Sequence, residues 1–347
     1  MDTRDRISMT RENIGDWWAS GFLARTLVIV LLVYLLACIV LGFIWSNEPD
    51  TFDVAERVAS HNASERRGTV TGTATTVALI EVATIMLDKP GGFLSNDIVP
   101  PGAVLDNVPN WEFGVLVQVR DLSRSMRESF SRSQSQSTED VDLVIAEPRF
   151  HFDNESWILP RSEDEYREGI NYARAYLLRL SDPNQSASQF YSRADNLNSW
   201  LANVETRLGS LSQRLSASVG QKRLNIDLAG DAQAGQSTSA PSELEVKTPW
   251  NEIDDVLYEA RGTTWALIHF LRAIEIDFAD VLEKKNARVS LQQIIRELEA
   301  TQQTIWSPVV LNGSGFGLFA NHSLVMASYI ARANAGIIDL RELLSKG

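Results

Sequence analysis

The chain has 347 residues, and its 45 Asp plus Glu outweigh 32 Lys plus Arg to give a formal net charge of −13. Such a chain repels nucleic-acid phosphates, and its basic residues form no face with interleaved aromatics, so nucleic acid is not an expected partner. The one cysteine, Cys38, lies inside an apolar run. This excludes disulfides, zinc–thiolate sites and cysteine nucleophiles from residues 46–347.

Residues 26–45 predict a transmembrane helix. They read TLVIVLLVYLLACIVLGFIW, without a charge, and at 1.5 Å per residue they span about 30 Å, the thickness of a bilayer core. Trp17, Trp18 and Trp45 lie near the two ends, where amphipathic rings prefer the headgroup region. The lipid bilayer is therefore the expected partner of residues 26–45.

Three other interpretations of this run fit less well. A cleavable signal peptide has a shorter apolar core followed by a small-residue site, which residues 46–49 do not offer. Residues 35–38 read LLAC, as in a lipoprotein signal, but the apolar run continues through Leu41 where a polar tether is expected. The third interpretation is a helix buried in the protein core, but the unbroken apolarity of this run on all faces argues against it.

A second span at residues 69–87 is the weaker interpretation of that segment. Its first half is rich in threonine and glycine, and Glu81 lies in its second half. An acidic residue near the bilayer centre costs about 2.5–3.5 kcal/mol on insertion scales. We therefore expect a helix buried in protein there.

Basic residues near the span predict its orientation. Arg6, Arg11 and Arg25 precede it, whereas only Arg57 follows within a similar distance. By the positive-inside rule the N-terminus is cytoplasmic. We therefore expect a cytoplasmic tail at residues 1–25 and an extracytoplasmic domain at residues 46–347, which in a Gram-negative bacterium means the periplasm.

The rest of the chain predicts an all-α fold, an elongated antiparallel helical bundle. Apolar periodicity and turn residues indicate helices at residues 51–60, 75–88, 111–131, 162–180, 190–215, 253–281, 288–305 and 318–344. The alternating VDLVI and RFHF runs allow one small β-hairpin near residues 141–158.

The clearest periodicity lies in residues 190–215 and 253–281. Apolar residues there alternate steps of three and four over about four heptads, which is typical of long helices packed lengthwise. Residues 228–246, between them, are mostly small and polar and cannot offset their ordering entropy by burial. We expect a mobile loop there that lets the two long helices pair antiparallel.

No known catalytic motif occurs in the sequence. The histidines (His61, His151, His269 and His322) lack partners at metal-ligand spacing. The acidic pairs Asp254/Asp255 and Asp277/Asp280 are more typical of solvated helix faces than of a general acid and base. The sequence therefore predicts no catalytic residue, no metal and no cofactor.

Residues 91–114 read GGFLSNDIVPPGAVLDNVPNWEFG and predict an ordered crossing between two helices. Proline fixes the chain direction, and asparagine and aspartate favour side-chain-capped turns. One interpretation is a loop that closes the end of the bundle. The other is a binding patch built from Asp97, Asp106, Asn107 and Trp111.

This crossing and its continuation to residue 127, together with AEPRFHFDNESWILP at residues 146–160, resemble a family of proteobacterial inner-membrane proteins known as domain of unknown function 2333. The resemblance covers most of the chain. It implies a location in the bacterial envelope, and it implies neither an activity nor functional residues.

Two functional hypotheses follow. The first is a non-enzymatic, single-pass inner-membrane protein whose periplasmic helical domain acts as a scaffold or adaptor and binds another envelope protein. The second is an envelope enzyme or lipid-handling protein that acts at the membrane surface. A deep apolar pocket lined by acidic residues would favour the second, and a filled core with an exposed apolar patch would favour the first.

Overall fold

The computed structural model describes residues 21–65, 68–133, 138–184, 187–224, 243–307, 309–315 and 317–346. The described residues are mostly helical, which confirms the all-α prediction. The helices are α1 (Phe22–Trp45), α2 (Val54–Glu65), α3 (Thr73–Asp88), α4 (Asn107–Ser125), α5 (Leu143–Phe150), α6 (Ser162–Leu180), α7 (Ala194–Ser216), α8 (Ile253–Asp277), α9 (Ala279–Lys284), α10 (Arg288–Ala300) and α11 (His322–Ser345).

α8 defines the axis of the bundle. Near its start, Arg261 bonds to Glu48 in the segment that leaves α1. At its last residue, the Asp277 carboxylate accepts hydrogen bonds from the backbone N–H groups of Gly72 (2.8 Å) and Thr75 (2.6 Å) at the start of α3. α8 therefore runs away from α1, from what we name the proximal end of the bundle to its distal end, and α3 runs back.

α4 lies parallel to α8 over most of its length. The Trp111 and Trp265 ring centroids are 5.2 Å apart near the proximal end, and those of Phe130 and Phe278 are 5.4 Å apart near the distal end. The backbones approach so closely that a Cβ on Gly262 would lie 2.0 Å from the Trp111 carbonyl oxygen. Glycine is therefore required at this crossing.

The predicted pairing of the two long helices is correct in direction but wrong in its main partners. α7 and α8 run antiparallel and are joined by an ion pair between Arg214 and Glu259, with N–O distances of 2.7 Å. However, α7 packs mainly on α11, and α8 packs mainly on α4. A heptad seam specifies which face of a helix is buried and does not specify which helix covers it.

The predicted position of the small β-hairpin, near residues 141–158, is wrong. Residues Leu143–Phe150 form α5, because Leu143, Ala146 and Phe150 recur at steps of three and four and bury one helical face. Over so few residues, alternation and helical spacing are hard to tell apart.

A two-stranded antiparallel sheet lies elsewhere, between α7 and α8. Strand β1 (Gln221–Leu224) pairs with β2 (Glu243–Val246), with Gln221 opposite Val246. Residues 243–246, at the end of the loop predicted at residues 228–246, form β2, and the mobility of that loop stays a prediction. Residues 228–242 lie outside the described residues.

Four connections meet at the proximal end of the bundle, because α3, α5, α7 and α10 run toward it and α4, α6, α8 and α11 run away. Side-chain bonds mark this end: Asn96 bonds to Glu163 at the start of α6, and the Thr301 hydroxyl, just after α10, bonds to the Thr264 hydroxyl of α8. Within the described residues, the connections span residues 89–106, residues 151–161, residues 217–224 with 243–252, and residues 301–321 without 308 and 316.

Candidate functional site

The segment that leaves α1 lies along α8 in the same direction. Glu48 accepts two hydrogen bonds from Arg261 Nε (2.7 and 2.8 Å). One turn later, Trp265 Nε1 donates to the Asp50 carbonyl at 3.3 Å. Together with the contact between Phe52 and His269 described below, they fix residues 46–52 to three successive turns of α8.

His269 makes the third contact and joins Phe52 to α8. Its Nδ1–H donates to the Trp265 carbonyl (2.7 Å), and its Nε2 accepts from the Phe52 N–H (3.0 Å). The two rings stack with centroids 3.9 Å apart. Burial lowers the pKa of His269 to about 3, an effect that nearby Arg272 reinforces and the Trp265 hydrogen bond opposes. The ring is therefore neutral at pH 7 and serves the packing.

Arg261 connects this junction to the end of α10. The residue is 6% exposed. Besides Glu48, it donates to the carbonyl oxygens of Thr301 (3.0 Å) and Gln303 (2.9 Å). A single guanidinium therefore joins the segment after α1, the start of α8 and the connection between α10 and α11.

A buried ion pair holds the connection between α3 and α4. Lys89 donates to Glu112 of α4, and both side chains are almost fully buried. Glu112 also accepts from the N–H groups of Leu94 and Ser95, at 2.8 Å each. Burial raises the pKa of Glu112, and Lys89 with these hydrogen bonds opposes that rise. The Gly91–Ser95 turn is thus fixed on α4.

The same connection lies against α1. Gly91 has a positive φ of 92°, and a Cβ there would lie 2.8 Å from the Trp45 ring. A Cβ on Gly42 would lie 3.9 Å from Pro101 Cβ. The Tyr34 hydroxyl donates to the Pro100 carbonyl at 3.0 Å. Residues 91–101 therefore connect the last turns of α1 to the bundle.

The four predicted binding residues do not form one surface. Trp111 is buried against Trp265. Asp106 caps α4, because its side chain accepts from the Asn107 N–H at 2.9 Å. Asp97 is an exposed residue next to Gly102, and partial desolvation of its carboxyl group together with Glu163 raises its pKa, which Lys89 opposes. A role of Asp97, Asp106 and Asn107 in binding stays a prediction.

A first groove, of about 370 Å³, lies between α1 and two connections of the bundle. Asn96 holds those connections together by donating to the Ser156 carbonyl and to Glu163, at 2.8 Å each. The groove is lined by Trp45, Asp97, Pro100 and Pro101 on one side and by Trp157 and Arg161 on the other.

A second groove, of about 520 Å³ and mostly apolar, lies between the end of α10 and the start of α11. Arg261 closes one end of it, and His322 lines it while accepting from the Leu311 N–H at 3.2 Å. The other lining side chains include Leu257, Ile305, Trp306, Val325, Met326 and Tyr329.

The candidate acid–base residues have structural partners. Asp277 caps α3, as described above. Asp255 accepts from Asn110 Nδ2 at 2.7 Å, and burial together with Asp254, Asp106 and Glu252 raises its pKa to about 6. Among the described residues, no group of three or more His, Cys, Asp or Glu side chains could hold a metal ion.

Sequence reasoning missed the residues that build the junction. Glu48, Lys89, Glu112 and Arg261 are charged groups whose partners are 23 or 213 positions away in the chain. The available signal was a charge within the stretch of α8 at residues 260–271, which contains no other Asp, Glu, Lys or Arg residue and is buried throughout. A buried charge requires a partner, but the sequence does not identify it.

Comparison with known proteins identifies the family to which the chain belongs. Within the described residues, Ala24–Trp45 of α1 is long and apolar enough to cross a membrane, and its most apolar 18 residues include no buried position. A family model described as an uncharacterized protein conserved in bacteria, domain of unknown function 2333, matches residues 17–347. The chain belongs to this bacterial family. No curated protein and no solved structure matches it significantly.

Replacing Arg261 should show whether the junction stabilises the fold. Arg261→Met leaves the Glu48 carboxylate and the Thr301 and Gln303 carbonyl groups without their donor, so we expect the free energy of unfolding to fall by about 3–5 kcal/mol. Arg261→Lys keeps the positive charge but lacks the forked guanidinium, so its loss in the free energy of unfolding should be smaller than that of Arg261→Met and greater than zero. Urea unfolding of the full chain in detergent measures both.

The matched control is Arg161→Met, which removes the exposed ion pair with Asp164. An exposed pair contributes about 0–1 kcal/mol. Equal losses in Arg261→Met and Arg161→Met would show that the junction contributes no more than a surface pair.

Proposed function

We propose that this protein is a single-pass protein of the bacterial inner membrane. In this proposal α1 crosses the bilayer, the N-terminus is cytoplasmic and the helical domain lies in the periplasm. The domain is a scaffold that binds an apolar segment of another envelope protein, without catalysis. The observation that carries the proposal is an apolar, surface-exposed proximal end attached directly to an apolar helix.

The contacts of α1 favour a retained anchor over a cleaved signal sequence. Tyr34, Gly42 and Trp45 all contact residues 91–101 of the domain. Cleavage after residue 45 would remove these contacts and expose the apolar side of that loop. A signal sequence needs no such fit to the mature protein.

The second groove, at the α10–α11 connection, supports binding. Trp306, which lines it, is 92% exposed, and Leu318 and Phe319 of the same connection are 100% and 73% exposed. The core beneath is filled, with Trp111, Trp200 and Trp265 fully buried. Exposed apolar side chains around a groove, above a packed core, are typical of a docking surface for an apolar partner.

The apolar character of the same groove also favours a second candidate, lipid handling at the membrane surface. A volume of about 520 Å³ would hold part of an acyl chain, and Arg261 at one end lies next to polar residues such as Asn47 and Gln302. The groove is not lined by acidic side chains, which was the feature expected of an envelope enzyme.

The topology is tested with a reporter enzyme that is active only outside the cytoplasm. Fused after Gly347 it should be active, because four arginines precede the span, and a reporter that is active only in the cytoplasm should be silent at the same position. The full-length chain should stay in the membrane fraction after an alkaline wash. The reverse pattern, or release of a shortened chain, would contradict the anchor.

The occupant of the groove is tested by placing a photoreactive residue at Trp306 of the full chain in cells, with the exposed distal Val289 as control. We expect a discrete protein adduct at Trp306 that is absent at Val289. Adducts with lipid alone would support the second candidate in place of the first. Equal labelling at both positions would contradict both.

A further inference from the structure

Two proximal loops expose consecutive apolar side chains beside α1. In the first, Ile98, Val99 and Val104 are more than half exposed, and in the second, Trp157, Ile158 and Leu159 are half exposed or more. Leu159 reaches 91% exposure. We name these six residues the apolar rim. In water, such a run of exposed large side chains is unfavourable.

The rim lies beside the apolar surface of α1. Trp45 and Trp157 line the same groove. Pro101 lies against Gly42, one turn before Trp45, and Pro100 bonds to Tyr34, further inside the span. At 1.5 Å per residue, the first loop therefore reaches at least about 5 Å past Trp45 toward the middle of the span.

The backbone of both loops is adapted to an environment without water. Pro100, Pro101 and Pro160 have no N–H to satisfy. The Pro100 carbonyl accepts from Tyr34, and the Ser156 hydroxyl bonds to the carbonyls of Ile158 (3.1 Å) and Pro160 (2.8 Å). Unpaired backbone groups are costly in hydrocarbon, so the prolines and these paired carbonyl groups lower the cost of insertion.

Polar residues flank the apolar stretch of each loop. Asp97 and Asp106 bracket the first loop, and Ser156 and Arg161 bracket the second. This is the arrangement of an interfacial element, in which an apolar tip enters the acyl region and polar ends remain at the headgroups. Arg161 can also approach lipid phosphate.

We propose that the apolar rim inserts into the periplasmic leaflet of the bilayer that α1 crosses. The domain is then seated on the membrane in one fixed orientation. This inference rests on the anchor proposed above and concerns a different surface from the groove at Trp306. A protein partner on the rim would have to displace the lipids that surround α1, so the bilayer is the occupant that the position favours.

The test measures membrane depth in the full chain, with Cys38→Ser as background. Single nitroxide labels are attached after Val99→Cys and Leu159→Cys in the rim, Leu36→Cys within α1, and Val141→Cys and Val289→Cys at exposed distal positions. The protein is reconstituted in phosphatidylethanolamine–phosphatidylglycerol vesicles. Collision rates with oxygen and with a water-soluble nickel chelate report depth, and thermal unfolding confirms that each variant is folded.

We expect labels 36, 99 and 159 to collide with oxygen in preference to nickel, by several-fold over labels 141 and 289. If label 36 lies deep in the bilayer while labels 99 and 159 collide with nickel as often as label 141, α1 spans the membrane but the apolar rim does not insert. The inference is then overturned. If label 36 is aqueous, the anchor itself fails. If label 159 is aqueous in vesicles and shielded only in native membranes, a protein covers the rim and the bilayer proposal is wrong.

Discussion

The structure depends on how the chain leaves α1. Residues 46–52 are bonded to three successive turns of α8, through Arg261, Trp265 and His269. Because α8 packs on α4, and α4 holds the Lys89–Glu112 turn that touches Trp45, α1 is attached to the domain on two sides. A flexible tether would let the domain change its orientation relative to α1, whereas this junction fixes that orientation.

Much of the fold could be predicted from the sequence. The helices near residues 162–180, 253–281 and 288–305 follow from long apolar periodicity, a local property of the chain. The position of the hairpin could not be predicted. The residues of β2 are all exposed, so the strand buries no face and leaves no reliable pattern, and α5 is too short for its period to be distinguished.

The site could be predicted only in part. Residues 91–114 attract attention through their glycine, proline and asparagine content, and the structure shows that this loop contacts both α1 and α8. The sequence does not separate Trp111, which is buried, from Trp157, which is half exposed, because burial depends on which distant helix lies opposite. The same limit applies to Arg261 and Glu48, whose pairing is set by the tertiary fold.

A disulfide between α1 and the first loop tests the attachment of the anchor most directly. Gly42→Cys and Pro101→Cys, in a Cys38→Ser background, would place two Cβ atoms about 3.9 Å apart, within the range of disulfides. The account predicts rapid intramolecular cross-linking on mild oxidation in native membranes, and none for Gly42→Cys paired with the distal Val141→Cys. Cross-linking that is absent from the first pair, or equal in both, would show that α1 is not held against the domain.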